Sequence, residues 1–318
     1  KKDWRRRMKY CFGVDIGGTT VKMGLFAENG DIRDKWEIVT KTEDEGKAIL
    51  PDVAAAISGK MEEHHLTKED IKGIGVGVPA PVTAEGVVNG SANLGWKYKE
   101  AKKELEELTG MKATFGNDAN VAALGEMWKG GGAGCKNLVM VTLGTGVGGG
   151  IIVDGKIIDG SRGYGGEIGH MCVNYHETKQ CGCGSYGCLE QYASATGIVR
   201  LATEKLESET RSTLLKKEEL SAKAVFDAVK EGDEVATEIA TEMGEYLGHA
   251  LANIAAVLDP AIFVIGGGVS KAGDVLLPFI EKPFKDRAFF ASQNVKFALA
   301  TLGNDAGICG AAKMVLGD

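Results

Sequence analysis

One pattern of strands and turns occurs twice in this chain, and the repeat constrains its fold more than any other feature. The apolar run Tyr10–Ile16 leads into the turn Gly17-Gly18-Thr19-Thr20, and Leu138–Leu143 leads into Gly144-Thr145-Gly146. Each turn precedes a second strand, a hairpin signal (Asn-Gly, then Asp-Gly) and a third strand. The repeat predicts internal duplication of one supersecondary unit, although two unrelated hairpins would produce the same spacing.

Between and after the two copies, strand patterns alternate with helical patterns, which predicts an α/β protein. Further strands are predicted at Ile71–Val78, Ala113–Phe115, Ala261–Ile265 and about Val295–Thr301. Helices are predicted at Ala48–His64, Lys99–Thr109, Ala119–Trp128, Ser221–Val229, Asp233–Leu258 and Ala306–Val315.

Composition and charge exclude several classes of protein. The 318 residues are 44% hydrophobic and carry a net charge of −7. An acidic chain is a poor match for nucleic acid or an anionic membrane, and no apolar run approaches the roughly 20 residues that span a bilayer. We therefore expect no nucleic-acid partner, no membrane and a cytoplasmic location. There the seven cysteines would be reduced thiols or metal ligands.

The first residues contain a basic cluster, Arg5-Arg6-Arg7. No apolar segment of the signal-peptide type follows it before the first strand. We interpret these residues as a disordered leader, with Met8 as an alternative natural start; a functional basic tail is the other interpretation.

The two glycine turns are candidate phosphate loops, because glycine lets backbone N–H groups approach an anion closely. Asp15, at the end of the first strand, is a carboxylate of the kind that holds Mg²⁺ through water. A simple hairpin connector is the alternative for either turn alone. No P-loop motif is present, and the Gly144, Gly146, Gly149 spacing leads into a strand, which excludes a dinucleotide fold. Gly266-Gly267-Gly268 follows a buried strand and is predicted to open a helix near a nucleotide or to be a plain turn.

Asn117-Asp118 stands where a short strand enters a helix. Phosphoryl transfer to an alcohol needs the hydroxyl to be positioned and its proton accepted, and one carboxylate is sufficient. Asp118 is therefore a candidate general base, although a role as helix cap explains its position equally well.

Three thiols lie within eight residues at Cys181, Cys183 and Cys188, and His170 precedes them by eleven positions. Three sulfurs and one imidazole complete a tetrahedral Zn²⁺ shell with no open position, so this zinc would be structural. Cys172 is a substitute ligand candidate. A redox pair or free thiols are the alternatives.

Together these motifs resemble the ROK family (repressor, open reading frame, kinase), and within it the bacterial kinases that act on glucose. The resemblance runs from about Tyr10 to the end and is most specific between Leu138 and Gly197, which contains LGTGVGGG, GYGGEIGHM, CGCGSYGCLE and ASATGI. Tyr175-His176-Glu177 is a departure from the family pattern and puts the local loop shape in doubt.

The resemblance implies an actin-like (ribonuclease H-like) α/β fold, in which two related domains close over a cleft. The small domain would comprise 1–118 plus about 302–318, and the large domain 119–301 with the zinc loop. The implied activity is ATP-dependent phosphorylation of the 6-hydroxyl of glucose, with Mg²⁺ and a structural Zn²⁺, in a homodimer.

The resemblance also implies a role for each motif. Asp118 would be the base, and Asp15 with the two glycine turns would hold the phosphates. The adenosine segment would be Gly266–Val269. The implied sugar ligands are Asn93, Asn117, Asp118, Glu167, His170 and Glu190. His170 would then bind zinc through one ring nitrogen and sugar through the other.

Other activities remain open. An N-acyl-hexosamine kinase or a fructokinase of the same family would share most of these residues. A sugar-responsive repressor would carry a helix-turn-helix before the first glycine turn, and only fourteen residues precede Asp15 here. A general actin-like ATPase or chaperone would leave Glu167, His170 and the thiols unexplained.

Overall fold

The computed structural model describes residues 8–317, so the basic cluster at Arg5-Arg6-Arg7 lies outside the described residues. The chain divides into two compact units. The first contains the residues up to Ala133, the segment Gly155–Gly165 and the residues from Asn304 onward, and the second contains Gly134–Asp154 and Gly166–Gly303. Among residues 8–317, no helix combines the length and apolar composition that crossing a bilayer requires.

The strands follow the predicted pattern closely, and the predicted bounds Tyr10–Ile16, Ile71–Val78 and Leu138–Leu143 match to the residue. They are β1 (Tyr10–Ile16), β2 (Thr20–Ala27), β3 (Ile32–Val39), β4 (Ile71–Val78), β5 (Ala113–Asn117), β6 (Leu138–Leu143), β7 (Val147–Val153), β8 (Lys156–Ile157), β9 (Ile262–Gly266) and β10 (Lys296–Leu299).

The helices include a short turn, α1, and one long helix, α8, about half of whose residues are buried. They are α1 (Glu43–Gly46), α2 (Ile49–Glu63), α3 (Ala101–Thr109), α4 (Asp118–Lys129), α5 (Glu190–Ala193), α6 (Ala195–Ser208), α7 (Ala222–Lys230), α8 (Glu234–Leu258), α9 (Leu277–Arg287) and α10 (Ala306–Leu316). Ser221 caps α7, because its side chain accepts a hydrogen bond from the Ala224 N–H.

The two sheets share one topology. Their strand orders are β3-β2-β1-β4-β5 and, from the opposite edge, β8-β7-β6-β9-β10. In the first, β1 is antiparallel to β2 and parallel to β4; in the second, β6 is antiparallel to β7 and parallel to β9. The common plan predicted from the two glycine turns is therefore confirmed. Asp154 and Gly155, in the second hairpin, both have positive φ (50° and 77°), as a tight hairpin requires.

The core of the first unit depends on helix α10, which packs backbone to backbone against the sheet and α4. A Cβ added at Gly75 in β4 would lie 1.8 Å from the Ala311 carbonyl oxygen. One added at Gly310 would lie 1.7 Å from the Val121 carbonyl oxygen. Only glycine fits at such contacts, so these positions fix how closely α10 approaches its neighbours.

The unit boundaries differ from the division predicted from the sequence. That division placed 119–301 in one domain, whereas the structure groups α4 and Gly155–Gly165 with the first unit. The reason is packing: Gly125 of α4 is in contact with the backbone of α10, where a Cβ would lie 2.2 Å from the Ala306 carbonyl oxygen. The second unit is built around α8, whose residues from Val235 to Ala255 supply much of its buried core.

Candidate active site

The first glycine turn has a fixed shape. The Gly17 N–H donates to the Thr20 carbonyl oxygen at 3.0 Å, and the Thr40 N–H donates to the Thr19 carbonyl oxygen at 2.9 Å. The Thr40 hydroxyl also donates to the Gly17 carbonyl oxygen at 2.6 Å. Gly18 and Thr19 remain exposed at the tip. Thr40 therefore stabilises the turn through two hydrogen bonds, and the sequence analysis did not identify this residue.

Strand register brings the predicted catalytic residues to one edge of the first sheet. Asp15 pairs with Gly77 on β4, and Val78 pairs with Asn117 on β5. Because β1, β4 and β5 are parallel, their carboxyl ends meet at this edge. A Cβ added at Gly77 would lie 3.8 Å from the Asp118 Cα, which places Asp118 beside the neighbouring strand.

Asn93 lies next to the first glycine turn. A Cβ added at Gly18 would be 3.3 Å from the Asn93 carbonyl oxygen and 3.6 Å from its Cβ. Asn93 belongs to a short 3₁₀ turn, Ala92–Leu94, which ends at Gly95 with φ of +73°. Asn93 therefore lies beside the turn that was predicted to hold phosphate.

The two interpretations of Asp118 are resolved in part, because the cap of α4 is Asn117. The Asn117 Oδ1 accepts from the N–H groups of Ala119 and Asn120, at 3.0 and 3.3 Å. Its Nδ2 donates to the Ala80 carbonyl oxygen at 3.3 Å, so the amide is held in one orientation. Asp118 is the first residue of the helix and its Oδ1 accepts from the Ala119 N–H at 2.8 Å.

Asp15 is a half-buried carboxylate with a close glycine neighbour. A Cβ added at Gly307 in α10 would lie 2.5 Å from its Oδ2. Burial raises the pKa of Asp15 above its ordinary value, and the nearby charge of Lys22 opposes that shift. A divalent cation beside this carboxylate would favour its ionised form, so Asp15 is chemically suited to the Mg²⁺ role predicted for it.

The second glycine turn is braced in the same manner as the first. The Gly144 N–H donates to the Gly146 carbonyl oxygen at 2.9 Å, and the Ala195 N–H donates to the Gly144 carbonyl oxygen at 2.8 Å. The Thr196 hydroxyl donates to the Thr145 carbonyl oxygen at 2.7 Å. Sequence reasoning noted ASATGI only as a family segment; the structure shows that it holds this turn.

The third glycine segment lies against the second turn. A Cβ added at Gly267, whose φ is +84°, would be 2.5 Å from the Leu143 carbonyl oxygen. Gly266 pairs with Thr142 on the parallel strand β6. The predicted strand-to-helix junction is wrong in one respect, because a 3₁₀ turn at Val269–Ala272 follows the glycines and α9 begins only at Leu277. The positive φ of Gly267 and its contact with Leu143 require glycine at this position.

Three of the predicted sugar ligands surround the start of β7. Glu190 Oε2 accepts from the Val147 N–H at 2.9 Å, beside Gly146. Glu167 and His170 are both exposed; Glu167 precedes the 3₁₀ turn Ile168–His170, and His170 is its last residue. That turn also packs on Val147, since a Cβ at Gly169 would lie 2.1 Å from the Val147 carbonyl oxygen.

The predicted metal ligands come together. One atom from each of His170, Cys181, Cys183 and Cys188 lies within 4.8 Å of the other three. The Cys183 and Cys188 sulfurs are 3.6 Å apart, and the Cys181 sulfur is 4.0 Å from His170 Nδ1. Ligand atoms of a tetrahedral zinc–thiolate centre are separated by about 3.8 Å, so the four residues fit this ion.

The environment of the thiols also fits a cation. Burial raises the pKa of Cys188 to about 12, whereas the Ser185 N–H lowers the pKa of Cys183. A bound cation would supply the positive charge that stabilises all three thiolates. Cys172, the substitute candidate, lies outside this four-residue group.

A second polar cluster, which sequence reasoning missed, supports the loop between His170 and Cys181. Glu177 Oε2 accepts from the Tyr192 hydroxyl and from Arg200 Nη2, both at 2.6 Å. Glu177 Oε1 accepts from the N–H groups of Thr178 and Lys179, at 2.9 and 2.8 Å. The Tyr175-His176-Glu177 departure from the family pattern therefore contains a structural carboxylate.

Known proteins match this chain over nearly its whole length. The model of the ROK family matches residues 11–318. The glucokinase of Halalkalibacterium halodurans is 45% identical over 313 residues, covering 96% of this chain and 95% of that protein. The glucokinase of Thermotoga maritima is 35% identical over 312 residues, covering 95% of this chain and 96% of that protein.

A crystal structure of a ROK family protein also matches this chain. The ROK family glucokinase of Streptomyces griseus, solved in complex with glucose and AMPPNP, is 33% identical with a TM-score of 0.74. The match covers 96% of this chain and 98% of that one. Two related α/β units with glycine turns at corresponding strand ends define an actin-like fold, as predicted. This chain belongs to the ROK family.

Proposed function

We propose that this protein transfers the γ-phosphate of ATP to the 6-hydroxyl of glucose. The observation that carries the proposal is the position of Asp118 at the same sheet edge as Asp15 and the first glycine turn. A carboxylate at the start of a helix, next to a candidate phosphate loop, suits proton acceptance from an attacking alcohol. The glucokinases of H. halodurans, T. maritima and S. griseus support the choice of reaction and sugar.

In this proposal the ATP ligands are the residues of the two glycine turns. The first turn would supply Gly17, Gly18, Thr19 and Thr20, and the other would supply Gly144, Thr145 and Gly146. The backbone bonds that brace each turn support this role, because a loop fixed in advance needs little reorganisation to bind phosphate. Asp15 would hold Mg²⁺ through water, and Gly266, Gly267 and Gly268 would lie against the adenosine.

The sugar ligands are proposed to be Asn93, Asn117, Glu167, His170 and Glu190. His170 Nδ1 faces the Cys181 sulfur, which leaves Nε2 for a sugar hydroxyl. Zinc bound by the three thiols and His170 would supply no reactive position, since all four coordination sites are occupied by protein. Its proposed role is to fix the segment that carries His170 and leads to Glu190.

We also propose that the protein works as a homodimer, which the family resemblance supports, and that it is located in the cytoplasm, which its sequence composition supports. Size-exclusion chromatography with light scattering tests the first. A measured molar mass equal to that of a single chain would exclude the dimer.

The function is tested by an ADP-release assay with glucose, mannose, fructose, N-acetylglucosamine and N-acetylmannosamine. Glucose should give the highest kcat/KM. An N-acetyl sugar or fructose turning over while glucose does not would show that this chain is an N-acyl-hexosamine kinase or fructokinase of the same family. No ADP release with any of the five sugars would contradict the proposed activity.

A further inference from the structure

A fourth cysteine faces the metal ligands across a pair of extended segments. Cys172 and Cys188 form an isolated antiparallel bridge. The Val173 N–H donates to the Gly187 carbonyl oxygen at 2.7 Å, and the Leu189 N–H donates to the Met171 carbonyl oxygen at 2.9 Å. The two bonds therefore lie on either side of the cysteines, which makes them a non-hydrogen-bonded pair.

This register brings the two side chains close. Directly opposed residues in a non-hydrogen-bonded antiparallel pair have Cα atoms roughly 4.5 Å apart and side chains on the same face. That separation lies within the range of about 4.4–6.8 Å found for disulfides. A Cβ added at Gly187, just before Cys188, would be 3.2 Å from the Cys172 sulfur, so that thiol lies over the opposite segment.

The two thiols differ in exposure and in partners. Cys172 is exposed and lies outside the His170, Cys181, Cys183, Cys188 group. Cys188 is fully buried and belongs to that group. An accessible thiol outside the ligand set is the one that an oxidant meets first, and a ligand thiolate opposite it is placed to resolve the product.

We infer that Cys172 and Cys188 form an oxidation site, at which a peroxide converts the pair to a disulfide and releases the metal. The Cys172 sulfur attacks the peroxide, forming an S–O bond as the O–O bond breaks and the first water leaves. The Cys188 thiolate then attacks the Cys172 sulfur, forming the S–S bond and expelling the second oxygen as water. The Cys172 thiol and the solvent supply one proton each, and both sulfurs are oxidised as the peroxide is reduced.

Loss of Cys188 leaves three of the four ligands, which are too few for a closed structural zinc site. The metal should then dissociate, and the segment that carries His170 should lose its fixed shape. A fall in sugar phosphorylation after oxidation rests on the proposed function; metal release and disulfide formation do not.

The test oxidises the zinc-loaded protein with hydrogen peroxide and follows zinc with a chromogenic chelator. Trypsin cleaves after Lys179 and Arg200, so Cys172 lies on one peptide and the three ligand thiols on the next. Mass spectrometry of the non-reduced digest should show these two peptides joined, with fragmentation placing the bond at Cys188. Dithiothreitol and added zinc should reverse the change.

The Cys172→Ser variant should release zinc at least about tenfold more slowly, because its first oxidation step is removed. If the serine variant does not bind zinc before oxidation, the same measurement is made with Cys172→Ala. The control is Cys135→Ser, which changes a partly buried cysteine outside the metal group and should release zinc at the wild-type rate. Equal release from Cys172→Ser and wild type would overturn the proposal. The proposal would also be overturned if the oxidised, zinc-free wild-type protein contained a disulfide between Cys181 and Cys183.

Discussion

The Glu177 carboxylate lies 2.6 Å from the hydroxyl of Tyr192, which stands two residues after Glu190 in helix α5. The same carboxylate oxygen also accepts from Arg200 at 2.6 Å. The Tyr192 ring stacks on Tyr246 with centroids 4.0 Å apart. One buried acid thus joins the loop between His170 and Cys181 to three helices of the second unit, α5, α6 and α8.

Replacing Glu177 should therefore destabilise the second unit. Glu177→Ala leaves Arg200 with a single carboxylate, Glu204, and should lower the free energy of unfolding by about 2–3 kcal/mol. Glu177→Gln keeps the side-chain shape and the hydrogen-bond acceptor for Tyr192, so it should lower the free energy of unfolding by less. Urea unfolding measures both. An alanine variant as stable as wild type would show that the network contributes nothing.

The same acid should make stability depend on pH. Bonds from Tyr192, Lys179 and Arg200 lower the pKa of Glu177 to about 2. A carboxylate with a depressed folded-state pKa contributes stability above its ordinary pKa and loses it as pH falls towards the folded-state value. The stability difference between wild type and Glu177→Gln should thus be constant above about pH 5.5 and shrink towards pH 2. A difference independent of pH would contradict this pKa.

Asp118→Asn should remove most of the turnover but keep sugar binding, because the amide retains the side-chain shape and cannot accept the hydroxyl proton. We expect kcat to fall by about 10²–10⁴-fold and the glucose Kd, measured by calorimetry, to change by less than about threefold. Asp154→Asn is the matched control, since that exposed hairpin residue has a positive φ that asparagine tolerates. Unchanged kcat in Asp118→Asn would remove the general-base assignment.

Metal analysis of the purified protein should find one zinc per chain. Cys181→Ser should lose that zinc and lower the Tm by about 5 °C or more, since a structural metal stabilises the folded state that binds it. Cys135→Ser should keep both the zinc and the Tm. Active, stable protein without metal would contradict the zinc assignment.

Gly75→Ala tests the close packing of α10. The new methyl group would lie 1.8 Å from the Ala311 carbonyl oxygen. We therefore expect the free energy of unfolding to fall by at least about 3 kcal/mol, or the protein to be insoluble. Gly59→Ala is the control: Gly59 is exposed in helix α2, and a Cβ there meets no other atom within 4 Å. The free energy of unfolding of Gly59→Ala should rise by about 0.5–1 kcal/mol, because alanine has a higher helix propensity than glycine. Equal stability of the two variants would show that α10 can move aside at little cost.

The sequence predicted the strands well where local signals determine them. The β1 and β6 bounds follow from an apolar run ended by glycine, and the hairpins follow from Asn-Gly and Asp-Gly. The clustering of the three thiols with His170 was predictable for a similar reason, because closely spaced thiols with glycines between them leave few other arrangements.

The remaining features depend on partners far along the chain. Glu177 meets Tyr192 and Arg200, 15 and 23 positions away, and no local pattern marks that contact. Asn117, and not Asp118, caps α4 because the backbone enters the helix one residue earlier than periodicity indicates. The grouping of α4 with the first unit arises from glycine contacts with α10, which lies about 180 residues later.

The dependence of the first unit on α10 has a consequence during translation. Its sheet and α4 have been synthesised by Ala133, but Ile308, Ala311 and Ala312, which are buried in the folded chain, follow more than 170 residues later. At about 5–20 residues per second, the ribosome needs on the order of ten seconds or longer to reach them. During that time the nascent chain lacks the helix that covers its glycine-lined surface, and synthesis of the second unit ends before that of the first.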